Sequence, residues 1–211
     1  MTILITAGPT REPIDPVRYL SNRSSGRMGF ALAQRAAKRG HTILLITGPV
    51  SLPTPDNVTR FDVTTAAEMH QAVSENIGQA QVAIFSAAVA DYTPFETCSQ
   101  KLKKSSGTLT LQLKRTQDIL GSVRSEMNYH GYLVGFAAET ENVLANATKK
   151  YQCKGCDLLV ANDVSRPDIG FDQQHNEVTL LFRNGQQSSI AKATKESIAD
   201  SILDHITDVL S

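Results

Sequence analysis

Between Gly8 and Ser25 the chain spends about eighteen residues where a strand-to-helix connection usually needs only a few. That stretch is crowded with groups able to hold anions and donate hydrogen bonds: Arg11, Asp15, Arg18, Tyr19, Asn22, Arg23, Ser24 and Ser25, stiffened by Pro9, Pro13 and Pro16. It leads through Ser24-Ser25-Gly26-Arg27-Met28-Gly29 into a helical pattern. Glycines let the backbone approach a ligand, and the free N–H groups of a helix start favour a negative group. The plainer account is a rigid surface loop whose serines cap the helix. Loop length and arginine density favour a ligand site. A second set, Ser86-Ala87-Ala88-Val89-Ala90-Asp91-Tyr92, comes directly after an apolar run. Its small side chains would let a ligand lie against the backbone, and Asp91 either accepts from ligand hydroxyls, which its strand-end place favours, or caps a loop or helix.

Several chemistries are excluded or left without support. No Gly-x-x-x-x-Gly-Lys-[Ser/Thr] occurs, and the first turn lacks Gly-x-Gly-x-x-Gly. Tyr151 and Lys154 are one residue too close for a Tyr-x-x-x-Lys pair. Cys153 and Cys156 form one Cys-x-x-Cys with a single further cysteine in the chain, which is weak support for a metal and reads as free thiols. His41, His70, His130, His175 and His205 have no ligand spacing.

The elements that must carry these groups alternate almost from end to end. Strands are expected at Thr2–Thr6, Thr42–Thr47, Val58–Asp62, Val82–Ser86, Tyr132–Phe136 and Asp157–Ala161. Helices are expected at Gly26–Arg39, Ala66–Asn76, Asp118–Met127 and Glu141–Tyr151. Leu102–Leu113 and Glu177–Ile190 read as hairpins, the second turning at Asn184-Gly185. Thr194–Leu210 reads as an amphipathic helix with Ile198, Ile202, Ile206 and Val209 on one side. The rhythm predicts an α/β fold: a Rossmann-like, doubly wound, mainly parallel sheet with helices on both faces and added β-hairpins. Ligands then sit at the carboxyl ends of the strands, which is where both sets fall.

Composition agrees with one domain over residues 1–211. The chain has 211 residues, and 21 Lys+Arg balance 21 Asp+Glu, which argues against a face built for nucleic acid. Mean hydropathy is −0.19 and no apolar run is long enough to span a membrane. The start Met-Thr-Ile-Leu-Ile-Thr-Ala-Gly is unlike a secretory signal, and three cysteines do not make a disulfide framework, so a cytoplasmic setting is expected.

The strings Thr6-Ala7-Gly8-Pro9-Thr10-Arg11-Glu12-Pro13-Ile14-Asp15-Pro16-Val17-Arg18 and Ser21-Asn22-Arg23-Ser24-Ser25-Gly26-Arg27-Met28-Gly29 come first. Ala87–Tyr92, Lys101-Leu102-Lys103-Lys104, Gly135-Phe136-Ala137-Ala138-Glu139-Thr140 and Ala161-Asn162-Asp163-Val164-Ser165 come next, in that order. Together they closely resemble phosphopantothenoylcysteine synthetase over essentially the whole chain. The resemblance implies a ligase that joins 4′-phosphopantothenate to L-cysteine with CTP through an acyl-cytidylate, releasing pyrophosphate and CMP. It also implies Mg²⁺ carried on the CTP phosphates, no flavin in this chain and a homodimer. The partner implied is a flavin-dependent decarboxylase, fused or separate; none precedes Met1, so the expectation is a stand-alone enzyme or an excised domain.

The resemblance assigns Asn22 and Lys101 to catalysis. Arg18, Asn22, Ser24, Ser25 and Gly26 would hold the acid substrate. Ala87, Asp91, Lys101, Gln117, Asp118, Ile119, Leu120, Phe136, Lys150 and Lys154 would hold CTP. Gln117 departs from the proline usual at that position. Lys101 would ride on a mobile flap at about 97–115 that closes over CTP and excludes water. Lys150 and Lys154 conflict with simple geometry, since helices here end away from the strand carboxyl termini. Two other functions suit the same fold: a non-catalytic nucleotide-binding module and a nicotinamide-dependent oxidoreductase.

Overall fold

A computed structural model describes residues 1–104, 107–139, 151, 153–163, 173 and 175–210. Its central sheet is built on largely apolar runs, as strands buried on both faces require. These are β1 (Thr2–Ala7), β4 (Thr42–Thr47), β6 (Val82–Phe85), β9 (Tyr132–Glu139) and β10 (Leu158–Asp163), with the more polar, partly exposed β5 (Val58–Asp62) at one edge. An antiparallel hairpin, β11 (His175–Phe182) and β12 (Gln187–Thr194), extends one edge and turns where Gly185 takes a positive φ. The eight strands run in the order β12-β11-β10-β9-β6-β1-β4-β5, with every pairing from β10 across to β5 parallel. The order reverses between β1 and β6, and that switch point opens a crevice at the carboxyl rim.

Among the described residues, two α-helices cover each face. Helix α1 (Arg27–Lys38) and helix α4 (Lys195–Leu210) pack over Ile3, Ile5, Ile43, Val82, Ile84, Leu158 and Val160. Arg35 Nη2 and Arg39 Nη2 clamp them together on Asp200 at 2.7 and 2.8 Å. Helix α2 (Ala66–Asn76) and helix α3 (Ile119–Ser125) cover Leu4, Leu44, Ile46, Leu133 and Leu159 on the other face. Thr65 and Glu68 form a reciprocal capping box that starts α2, and Asp118 caps α3 through Gly121 N. No helix among the described residues is long and apolar enough to cross a membrane.

The strands and helices expected at 42–47, 58–62 and 66–76 form with those bounds, and the segment expected at Glu141–Tyr151 lies almost wholly outside the described residues. In the first loop β2 (Arg11–Pro13) and β3 (Tyr19–Ser21) form a small hairpin, with the Arg11 guanidinium 4.6 Å over the Tyr19 ring. Two expectations are corrected. The described residues of Leu102–Leu113 do not form a hairpin: β8 (Leu113–Arg115) pairs antiparallel with β7 (Tyr92–Pro94), a non-local pairing that residue type alone does not reveal. Val209 is 54% exposed, since α4 outruns the sheet in its last turn while Ile198, Ile202 and Ile206 are buried.

Candidate functional site

At the switch point lies a cleft of about 640 Å³, lined from both faces of the sheet. Its floor is the carboxyl end of β6 and the segment Ser86 to Val89 just beyond it. This floor is tied to β1 through Ser86 Oγ and Thr6 O at 2.7 Å and Ala88 N and Gly8 O at 2.9 Å. One wall is the start of α1. Gly26 takes φ +75° at the cap position, a conformation that favours glycine, and no side chain caps the helix there. A methyl group on Gly29 would meet Ala7 Cβ at 2.5 Å, so the helix start can press against β1 only without a side chain.

Of the expected residues, Ser24, Ser25, Gly26, Ala87, Asp91, Gln117, Asp118, Ile119, Leu120, Phe136 and Lys154 all line this one cleft. Lys154 resolves the geometric conflict. Helix α3 has seven residues and is about 10 Å long. Gly155 O accepts from Arg124 Nε at 3.2 Å at the far end of α3, and from there Lys154 Nζ reaches back to pair with Asp118 at the near end. Lys150 lies outside the described residues.

Arg18, Asn22 and Lys101 are not among the lining residues. Arg18 Nη1 is held by Asp15 Oδ2 at 2.8 Å and by Leu102 O at 3.2 Å. Asp15, its side chain buried, also accepts from Val17 N and Arg18 N at 2.8 Å and from Leu102 N at 3.1 Å. Burial raises the Asp15 carboxyl pKa, but the backbone N–H groups of Val17, Leu102 and Arg18 and the Arg18 charge outweigh it and hold the pKa below its ordinary value. This knot, with Cys98 N on Ile14 O at 3.0 Å, ties residues 98–102, and hence Lys101, to the first loop. Asn22 Nδ2 donates to both Ala88 O and Val89 O at 3.1 Å; two carbonyls can be met only by the NH₂ end of the amide. Asn22 therefore fastens the first loop over the cleft floor. Glu12 fastens the same loop elsewhere, its carboxylate accepting from Ala66 N at 2.8 Å at the positive start of α2.

The cleft also gathers residues that sequence reasoning missed: Thr6, Arg27, Arg115, Thr116, Asn162, Asn176 and Lys195. Arg115 is hidden in the sequence because the pairing of its strand is non-local, and Lys195 because a lysine opening an amphipathic helix looks like surface. The usable signal is Asn162, an amide ending the apolar run Leu158-Leu159-Val160-Ala161. Among the described residues no group of three or more His, Cys, Asp or Glu side chains is disposed to hold a metal ion. The cleft thus offers hydroxyls, helix-start N–H groups and lysine and arginine cations on both sides of a flat, small-residue floor.

Residues 1–210 match the family described as the DNA/pantothenate metabolism flavoprotein C-terminal domain. The coenzyme A biosynthesis bifunctional protein CoaBC of Escherichia coli (strain K12) is 46% identical over 209 residues, covering 98% of this chain and 51% of that protein. The Bacillus subtilis (strain 168) protein of the same description is 44% identical over 205 residues, covering 97% and 50%. This chain thus spans about half the length of either relative. The crystal structure of the C-terminal domain of a CoaBC superposes with a TM-score of 0.84 at 40% identity, covering 99% of this chain and 95% of that one.

Proposed function

We propose a function on the premise those matches establish: this chain belongs to the DNA/pantothenate metabolism flavoprotein C-terminal domain family. It acts as a ligase of coenzyme A biosynthesis, joining 4′-phosphopantothenate to L-cysteine with CTP. The observation that carries this reading is the single cleft that unites the uncapped, Ser-Ser-Gly start of α1 with Asp91, the Gln117–Leu120 turn, Phe136 and Lys154.

In the first half-reaction a carboxylate oxygen attacks the α-phosphorus of CTP. A C(O)–O–P bond forms, the bond to the β-phosphate bridge breaks, and pyrophosphate leaves; Mg²⁺ carried on the nucleotide phosphates would offset part of their charge. In the second, the cysteine amine attacks the acyl carbon. A C–N bond forms, the C–O bond to CMP breaks, and the amine gives up a proton. Both steps bring anions together, so fixed cations and donors must neutralise them. Asp91 and the Ala87 backbone suit the nucleoside, the Asp118-capped turn and Lys154 the phosphates, and the start of α1 the acid substrate.

Lys101 and Asn22 act in this reading by changing partners. Lys101 is next to Leu102, whose N–H is the tether to Asp15, so release there frees the lysine to reach a phosphate. Asn22 must exchange one backbone carbonyl for the reacting oxygen. Arg18 has to leave Asp15 to hold a phosphate. A homodimer belongs to the same reading, supported by exposed Val17, Tyr19, Tyr92, Phe95 and Leu113 on the adjoining β2–β3 and β7–β8 ribbons. So do a cytoplasmic setting and a flavin-dependent decarboxylase as fused or separate partner.

Pyrophosphate release from CTP with Mg²⁺ and 4′-phosphopantothenate, with and without cysteine and repeated with ATP, tests the reading. Cysteine-stimulated release with CTP is expected. A folded protein that binds CTP yet releases no pyrophosphate with either nucleotide would be a binding module instead.

A further inference from the structure

In the last turn of α3 stands an arginine whose whole guanidinium is engaged. Arg124 Nη1 donates to Tyr129 O at 2.7 Å and to Gly131 O at 3.0 Å. Its Nε donates to Gly155 O at 3.2 Å and its Nη2 to Asp157 Oδ2 at 2.7 Å. Four acceptors from two stretches of chain thus converge on one planar fork, a pattern that suits arginine and that lysine cannot reproduce. Asp157 is fixed in turn, because its Oδ2 also accepts from Leu133 N at 2.8 Å and its own N–H donates to Leu133 O at 2.8 Å. The end of α3, the start of β9 and the turn before β10 are therefore joined at Arg124.

Arg124 does not line the cleft, but Lys154, next to Gly155 in the turn it holds, does. Gly155 takes φ +63°, and a methyl group there would meet Arg124 Cγ at 3.2 Å, so the turn rests directly on the arginine stem. From that seat the lysine reaches Asp118, whose Oδ1 caps α3 by accepting from Gly121 N at 2.9 Å. The helix is a strut gripped at both ends. Arg124 fixes where the lysine leaves the backbone, and Asp118 fixes where its amine arrives. A lysine is a point charge on a flexible stem, so the place of its backbone decides which anion it can meet.

We infer that Arg124 is a positioning residue: by seating the Lys154-Gly155 turn on the end of α3, it sets the Lys154 amine to meet the nucleotide phosphates. The inference rests on the ligase reading and deepens it. Arg124 touches no substrate, so whatever it contributes to nucleotide binding passes through Lys154. Its loss should be felt by CTP and not by the acid substrate, which the start of α1 holds at the other wall. It should also be felt in affinity more than in the rate of the chemical step.

A double-mutant cycle tests this, with calorimetric titration of CTP and 4′-phosphopantothenate into the wild type, Arg124→Met, Lys154→Met and the double variant. Lys154→Met should weaken CTP about 10- to 30-fold and Arg124→Met about three- to tenfold. The double variant should bind CTP within about twofold of Lys154→Met, because the arginine has nothing left to position. Affinity for 4′-phosphopantothenate should change by less than about twofold throughout, and KM for CTP should rise in Arg124→Met while kcat holds within about threefold. Arg124→Lys, which can keep Asp157 but not the three carbonyls, should fall between wild type and Arg124→Met. Losses that multiply in the double variant, an equal loss for the acid, or no loss for CTP would overturn the assignment. If Arg124→Met does not fold, Arg124→Lys with and without Lys154→Met completes the same cycle. Labelling with acetic anhydride, followed by mass spectrometry, needs no ligand: Lys154 should acetylate about three- to tenfold faster in Arg124→Met, and an unchanged rate would overturn the seating. Absence of CTP-dependent turnover in the wild type would end the ligase reading, whereas the labelling rate judges Arg124 by itself.

Discussion

Gly48, just beyond β4, has Pro9 against its α-carbon so closely that a methyl group there would lie 1.7 Å from the Pro9 carbonyl oxygen and 2.7 Å from its carbon. Real Cβ contacts stop near 3.0 Å, so in Gly48→Ala the carbonyl must retreat by at least 3.0 − 1.7 = 1.3 Å. The obstacle is backbone, and proline's fixed φ leaves it little freedom to turn aside. Moving Pro9 strains the root of the first loop: Thr10 N on Ala88 O at 3.3 Å, Thr10 Oγ1 from Ala90 N at 3.0 Å and Arg11 N on Thr64 O at 2.7 Å. Overpacking costs about 1–3 kcal/mol and one lost buried hydrogen bond about 1 more, so a loss of about 2–4 kcal/mol is expected. At about 2–4 °C per kcal/mol for a chain of this size, the melting temperature should drop by roughly 4–16 °C. Displacing the loop by about 1 Å should also cut ligase turnover by about 100-fold. Differential scanning calorimetry and pyrophosphate release read the two effects. Gly78→Ala, where a methyl group meets nothing within 4 Å, is the control. A Gly48→Ala protein that melts within about 2 °C of the wild type and turns over normally would refute this account of how the loop is seated.

Asn22→Asp sets a carboxylate against the carbonyls of Ala88 and Val89, so amide hydrogen exchange over Ser21–Gly26 should quicken and the second half-reaction should stall with acyl-cytidylate accumulating; unchanged exchange and turnover would remove Asn22 from both roles. Burial raises the Cys156 thiol to about 12 and the Tyr132 phenol to about 12, and raises the Tyr129 phenol further. The unfolded chain gives up these protons first, so the stability they contribute is present below about pH 9 and is lost as pH rises toward 12. Melting temperatures that stay level from pH 9 to 11 would contradict this. For the same reason a thiol reagent at pH 8 should label exposed Cys153 and half-buried Cys98 before buried Cys156, as peptide mapping would read; equal labelling of all three in the folded protein would count against it.

The central strands β1, β4, β6 and β10 are legible in the sequence because their residues are apolar on both faces. The features that stay hidden are non-local or polar. Leu113–Arg115 finds its partner at Tyr92–Pro94, and a segment of serines and lysines in between carries no periodicity to reveal that pairing. In the site, the small-residue floor and the start of α1 can be read from residue type. Arg18 reads as a ligand group, yet Asp15, three residues earlier, is the partner that holds it. Lys195 and Asn176 cannot be found by motif, because only the antiparallel return of β11 and β12 brings them to the rim where β10 ends.

The ties that hold the cleft walls span long stretches of chain: 66 residues from Asn22 to Ala88, 80 from Thr10 to Ala90, and 87 from Asp15 to Leu102. Each can close only after β1 and β6, which root the two loops, are already side by side, because a loop of that length gains nothing until the sheet has gathered its ends. The expected order is that the sheet forms before the first loop docks, so the cleft should reopen below the free energy of global unfolding. Ligands that bridge the two walls then act as the final step of folding: they close the site without altering the sheet and should slow exchange at Gly8–Gly26 and 98–102 while leaving the central strands as they were.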